Sequence, residues 1–178
     1  HQDGLNFLKA GRYPLALERF ASALEKEPKN VTILLAQGQA YVLMDLYDKA
    51  FESLSSAEQI NPYEPEVKLW KGRSAFKLGK MSVALKALRQ SGRRLPQSEL
   101  APIWLAEVKL AQGSRDDAIR VLKGSIARQP LHLQSILLLA KIEDPIEPTP
   151  RRSIDPQKHR DHLWEVRKQL QVALSRYS

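Results

Sequence analysis

Apolar side chains along this chain recur at helical spacing, in blocks of constant length. In one block Ala118, Ile119, Leu122 and Ile126 line a single face of a 3.6-residue helix. Equivalent blocks begin at Ala16, Ala50 and Ala84, and in each a large residue stands four positions on: Phe20, Leu54 and Leu88, matching Leu122. A small residue follows three further along, at Ala23, Ala57, Ser91 and Ser125, and each block closes on a proline: Pro28, Pro62, Pro96 and Pro130, spaced 34 residues apart. Upstream of each alanine stands a turn former (Gly11, Asp45, Gly79, Gly113), and seven residues before that a small residue (Gly4, Gly38, Gly72, Ala106).

This pattern predicts two helices per unit, joined by a turn at the Gly/Asp position, where a positive φ is often required. The small residues let paired helices approach closely. The large residue is expected to fill the space between neighbouring hairpins, and proline ends the second helix because it cannot continue the hydrogen-bond ladder. The resulting map places helices near 2–10, 14–27, 31–44, 47–60, 65–78, 81–94, 99–112 and 115–128. Pro102 falls in the first turn of its helix, where no intrahelical N–H is needed. Ser114 with Asp117 predicts a capping box opening the eighth helix. Leu133 to Glu143 reads as the first helix of a fifth unit. Residues 144–157, with Pro145, Pro148, Pro150 and Pro156, read as a non-helical insertion. Val166, Leu170 and Ala173 then repeat the second-helix spacing, so residues 158–178 are expected to form either the delayed half of a fifth hairpin or a terminal cap, with Leu163, Leu170, Leu174 and Tyr177 buried.

Gly38, Tyr41, Tyr47, Ala50, Leu54, Ala57 and Pro62 together resemble the tetratricopeptide repeat (TPR), and the likeness extends over residues 1 to about 130. Repeat three departs from the pattern at Ala75 and Met81, and repeat four at Lys109 and Arg115. The resemblance implies an all-α, right-handed superhelical solenoid: four repeats plus a divergent fifth or capping helix, with the solenoid over 1–143. It also implies a concave groove lined by the first helix of each hairpin, giving the candidate partner-binding residues Leu35, Gln39, Leu69, Trp70, Arg73, Phe76, Lys77, Trp104 and Glu107. Trp70 and Trp104 are equally read as packing residues between hairpins, and Arg73 and Lys77 as part of a solvated face. A clamp for an acidic C-terminal tail, which needs Lys and Asn at set groove positions, is disfavoured because Leu35, Gln39, Leu69 and Arg73 stand there.

Charge changes the picture in one place. The net charge is +8, and nearly all the excess lies in residues 63–96, where nine Lys/Arg oppose only Glu64 and Glu66. Arg73 and Lys77, beside Trp70 and Phe76, suit an acidic or carboxylate-bearing peptide with an apolar anchor. Lys86, Arg89, Arg93 and Arg94 read as a solvated surface. A nucleic-acid-binding helical-repeat module using the basic third repeat and the nearby tryptophans is the alternative.

The chemistry of catalysis finds little footing. There is no cysteine, hence no thiolate metal site or thiol nucleophile. No Gly-rich phosphate loop or Gly-x-Ser-x-Gly elbow is present. Of the four histidines, His159 and His162 lie three apart near Asp155 and Asp161, a weak metal signature read as adventitious surface histidines. No catalytic residue, metal or cofactor is expected. No apolar run approaches the ~20 residues of a membrane span. The start at His1 reads as trimmed, so an N-terminal targeting segment would lie outside this sequence, and the compartment is left open between cytoplasm and periplasm. The expectation is a non-enzymatic protein-binding scaffold, a module of a larger assembly of the secretion, pilus, polysaccharide-export or chaperone type.

Overall fold

A computed structural model of the chain describes residues 1–130 and 132–143. Its elements are helices: α1 (Gln2–Lys9), α2 (Tyr13–Lys26), α3 (Val31–Leu43), α4 (Tyr47–Ile60), α5 (Pro65–Lys77), α6 (Met81–Arg94), α7 (Leu100–Ala111), α8 (Arg115–Arg128) and α9 (Leu133–Glu143). No strand occurs among the described residues. The first eight helices fall within one residue of the bounds that the 34-residue register predicts, and α9 matches its expected span. The expectations for 144–157 and 158–178 lie outside the described residues.

The hairpin turns follow from backbone geometry. Gly11, Gly79 and Gly113 take φ of +72°, +73° and +73°, and Asp45 takes +58° at the equivalent position. Aspartate tolerates this left-handed conformation better than most side chains. Each second helix ends two residues before its proline, since the residue preceding proline is pushed out of the helical region. Asn30 caps α3, its side-chain oxygen accepting from the amides of Thr32 (3.1 Å) and Ile33 (3.2 Å). The capping box expected at α8 is not formed: Ser114 makes no side-chain cap bond. Asp117 instead accepts from Lys109 Nζ and Arg120 Nη1, each at 2.9 Å, and these two cations hold its carboxyl below the usual carboxylate range.

Within each hairpin the small residue of the first helix meets the large residue of the second. A Cβ built on Gly38 would stand 2.5 Å from Leu54 Cγ, and one on Gly72 would stand 2.6 Å from Leu88 Cγ. Side chains there would force the helices apart. The same large residues also meet the next hairpin, as expected: Phe20 shares a core with Ile33 and Ala36, and Leu54 with Val67. Ala106, Ala118, Leu122 and Leu139 form the corresponding core further along.

The chain divides into two compact units, residues 1–96 and 97–178. In the first, three hairpins stack in series, each second helix packing on the first helix of the following hairpin. The first helices also touch one another directly (α1 with α3, α3 with α5), whereas α2, α4 and α6 make no such contacts among themselves. The first helices therefore form the closer-spaced, inner row of this unit and the second helices the outer row. In the second unit α7, α8 and α9 repeat the arrangement, α7 touching both α8 and α9.

Candidate functional site

The inner row of the first unit is centred on α3 and α5. Helix α3 is largely core: Ile33, Leu34, Ala36, Gly38, Ala40 and Val42 are buried. Leu35 and Gln39 are left half-buried, with Leu35 packed on the cluster that includes Leu34, Val42 and Leu54. On α5 the candidates separate. Leu69 is 5% exposed and belongs to the core. Trp70 is half-buried against the same cluster as Leu35, so its packing role is realised. Arg73 and Phe76 are half-buried and Lys77 is exposed.

The C-terminal half of α5 lies beside the turn of the preceding hairpin. The Arg73 guanidinium is 6.0 Å from the Phe76 ring centroid, and Lys77 Nζ is 6.0 Å from that of Tyr47, distances at the limit of useful cation–π attraction. Tyr47 in turn donates its hydroxyl to Asp45. That hydrogen bond, with burial and the Asp45 charge, raises the phenol above its ordinary pKa, and the Arg73 charge opposes the rise. The structure thus gathers two cations, two aromatic rings and one carboxylate: Arg73, Lys77, Phe76, Tyr47 and Asp45. Sequence reasoning places Asp45 and Tyr47 in the repeat skeleton only. Their positions one hairpin upstream of Arg73 and Lys77 are the available signal.

Other cations of the third repeat serve packing. Lys68 and Lys71 both bond Glu58 of α4, at 2.7 Å each. Their side chains are 11% and 14% exposed, against 28% for Glu58. Burial alone would push the Glu58 carboxyl up; hydrogen bonds and charge from the two lysines outweigh it, and the net shift is downward. The Phe51 ring of α4 is flanked by Lys71 Nζ at 4.9 Å and Lys80 Nζ at 4.1 Å. These contacts clamp hairpin three onto hairpin two. Arg94 covers the exposed Tyr63 ring at 5.4 Å.

The last two candidates lie in the second unit. Trp104 is 8% exposed, a packing residue, and Glu107 is half-buried. His132 is not a surface histidine: it is 6% exposed, and its Nδ1 lies 2.6 Å from Ser135 Oγ at the start of α9. Among the described residues no group of three His, Cys, Asp or Glu could hold a metal ion, and no helix is long and apolar enough to cross a membrane. His159 and His162, with Asp155 and Asp161, lie outside those residues.

Helical hairpins repeating every 34 residues, a small residue against a large one within each and first helices in direct contact within each unit, define an all-α helical-repeat protein of the solenoid class. Residues 2–65 match the family model described as Tetratricopeptide repeat, and the hairpins beyond them keep the same 34-residue spacing. The fold is shared with solved structures of low sequence identity. One described as MamA is 20% identical, with 98% of this chain and 95% of that chain covered at a TM-score of 0.75. MamA from Desulfovibrio magneticus RS-1 is 16% identical, with 96% and 93% covered at 0.78. TTC0263, a thermophilic TPR protein of Thermus thermophilus, is 22% identical, with 79% and 77% covered at 0.69. No curated protein matches the sequence. The family is in general a non-catalytic scaffold for protein–protein interaction.

Proposed function

We propose that the inner row of the first unit binds a partner protein or peptide bearing acidic groups and an apolar anchor, and that the chain serves as a docking module of a larger assembly. The observation that carries this reading is the convergence of Arg73, Lys77, Phe76 and Tyr47 where α5 meets the preceding turn. Cations held beside aromatic faces receive a carboxylate and an apolar group together. Leu35, Gln39 and Trp70 extend the surface with half-buried apolar and amide groups. Leu69 supports it from the core, and Trp104 and Glu107 belong to the second unit.

The alternative, nucleic acid bound through stacking on the tryptophans, is less favoured here. Trp104 is 8% exposed and Trp70 is packed on the core, so neither offers the open ring that base stacking needs.

The test is a titration of acidic peptides carrying one aromatic or aliphatic anchor, selected from a displayed library, against the chain and against the double variant Arg73→Glu, Lys77→Glu. Affinity should fall at least tenfold, which is about 1.4 kcal/mol, while helicity and melting stay unchanged. Full affinity in the folded double variant refutes this site.

A further inference from the structure

The outer row carries a second charged feature, separate from the inner-row site. Helix α6 has no acidic residue in its fourteen positions. Lys86, Arg89 and Arg93 stand at i, i+3 and i+7, which places them on one face, and all three are exposed. No described carboxylate lies within ion-pairing distance of any of them, whereas Lys68 and Lys71 on the adjoining α5 are both paired. Glu64 and Glu66, the repeat's own acids, sit at the start of α5 and engage none of the three. Arg94, next to this face, is turned onto Tyr63.

We infer that this face of α6 contacts the sugar–phosphate backbone of nucleic acid without reading its sequence. Three physical points select this polyanion over others. The only large apolar side chain exposed on α6 is Val83, at 36%, so a protein partner would find no buried aromatic or aliphatic anchor of the kind that carries most interfaces. A membrane would find no exposed Trp, Phe or Leu to insert from that face. Two of the three cations are arginine, whose guanidinium fork fits phosphate oxygens bidentately. Spacing agrees as well. Seven residues of helix span about 10 Å, about three steps along one strand at about 3.4 Å of axis each. Without an exposed ring on the face, contact is electrostatic and independent of sequence.

About three neutralised phosphates predict a slope of log affinity against log salt near −2.7. Raising salt from about 50 to about 200 mM should then weaken binding roughly 40-fold. The experiment is fluorescence anisotropy of a labelled duplex of about 20 base pairs with the full chain, compared with the folded triple variant Lys86→Gln, Arg89→Gln, Arg93→Gln and with Arg73→Glu, Lys77→Glu. Circular dichroism checks both variants for native melting. The expected result is salt-sensitive duplex binding, lost in the α6 variant and kept in the inner-row variant, whatever becomes of peptide binding. Absence of duplex binding at about 50 mM salt overturns the inference. So does binding that survives the α6 variant, or that disappears only with the inner-row variant. Tighter association with phosphatidylserine vesicles or polyglutamate than with duplex also overturns it, by reassigning the face to a membrane or an acidic protein.

Discussion

On α5, Lys68 and Lys71 reach the Glu58 carboxylate of the preceding hairpin at 2.7 Å each, and Lys71 lies over Phe51. On α6, the next helix in sequence, Lys86, Arg89 and Arg93 are exposed with no ion-pair partner among the described residues. The two helices carry the same sign of charge and differ in their neighbours. Helix α5 packs on α3, α4 and α6, whereas within the first unit α6 packs only on α5. Lys68 and Lys71 therefore meet the preceding hairpin and become part of how hairpins stack. Lys86, Arg89 and Arg93 meet solvent. Net charge per repeat is thus a poor guide to a binding surface until the charges are divided between the two rows.

The largest effects are expected where the two helices meet. Leu88 is fully buried against Gly72, so Leu88→Ala should cost about 2–5 kcal/mol, and Gly72→Ala about 1–3 kcal/mol by overpacking. Combined, the new methyl occupies part of the vacated space, so the double variant should lose less than the two single costs together. Denaturant unfolding measures all three, and strict additivity would mean that the residues do not face each other.

Next in size is the clamp between hairpins. Glu58→Gln removes the charge shared by Lys68 and Lys71 and should cost about 1–2 kcal/mol at neutral pH, a figure discounted for the partial exposure of Glu58. Because the folded Glu58 carboxyl lies below its ordinary 4.5, its contribution is present above that value and is lost as pH falls through the lower folded pKa. The difference in melting temperature between wild type and Glu58→Gln should therefore narrow as pH drops below about 4.5. A difference constant down to acid pH would remove Glu58 from the account. The same acid titration on the α6 triple variant should follow wild type, since those cations pair with no described carboxylate.

The smallest effect is expected at the turn. Asp45→Gly relieves a positive φ but loses the bond from Tyr47, and the two should cancel to within about 0.5 kcal/mol. Gly79→Ala places a Cβ at φ +73° with nothing gained, and should cost about 1 kcal/mol. Thermal unfolding of the pair distinguishes the positions.

Much of this was legible in the sequence, because the fold repeats a local rule. Helix bounds, turn glycines and the contact of small with large residues all follow from spacings within one 34-residue unit. What was not legible depends on how units stack. Lys68 is 8% exposed, because its partner Glu58 is brought to it by the packing of α5 on α4. Leu69 and Trp104 share the register of the inner row but are turned into the core, which the repeat pattern does not fix. The Ser114–Asp117 capping box failed for a related reason: Asp117 found a stronger partner in Lys109, eight residues upstream on the facing helix.

The most direct measurement is backbone amide chemical-shift mapping of the chain during titration with a selected acidic, anchor-bearing peptide. The account predicts that the shifts gather on the inner row, at Gln39, Trp70, Arg73, Phe76 and Lys77. Shifts confined to α2, α4 and α6, with those five residues unmoved at saturation, would contradict it.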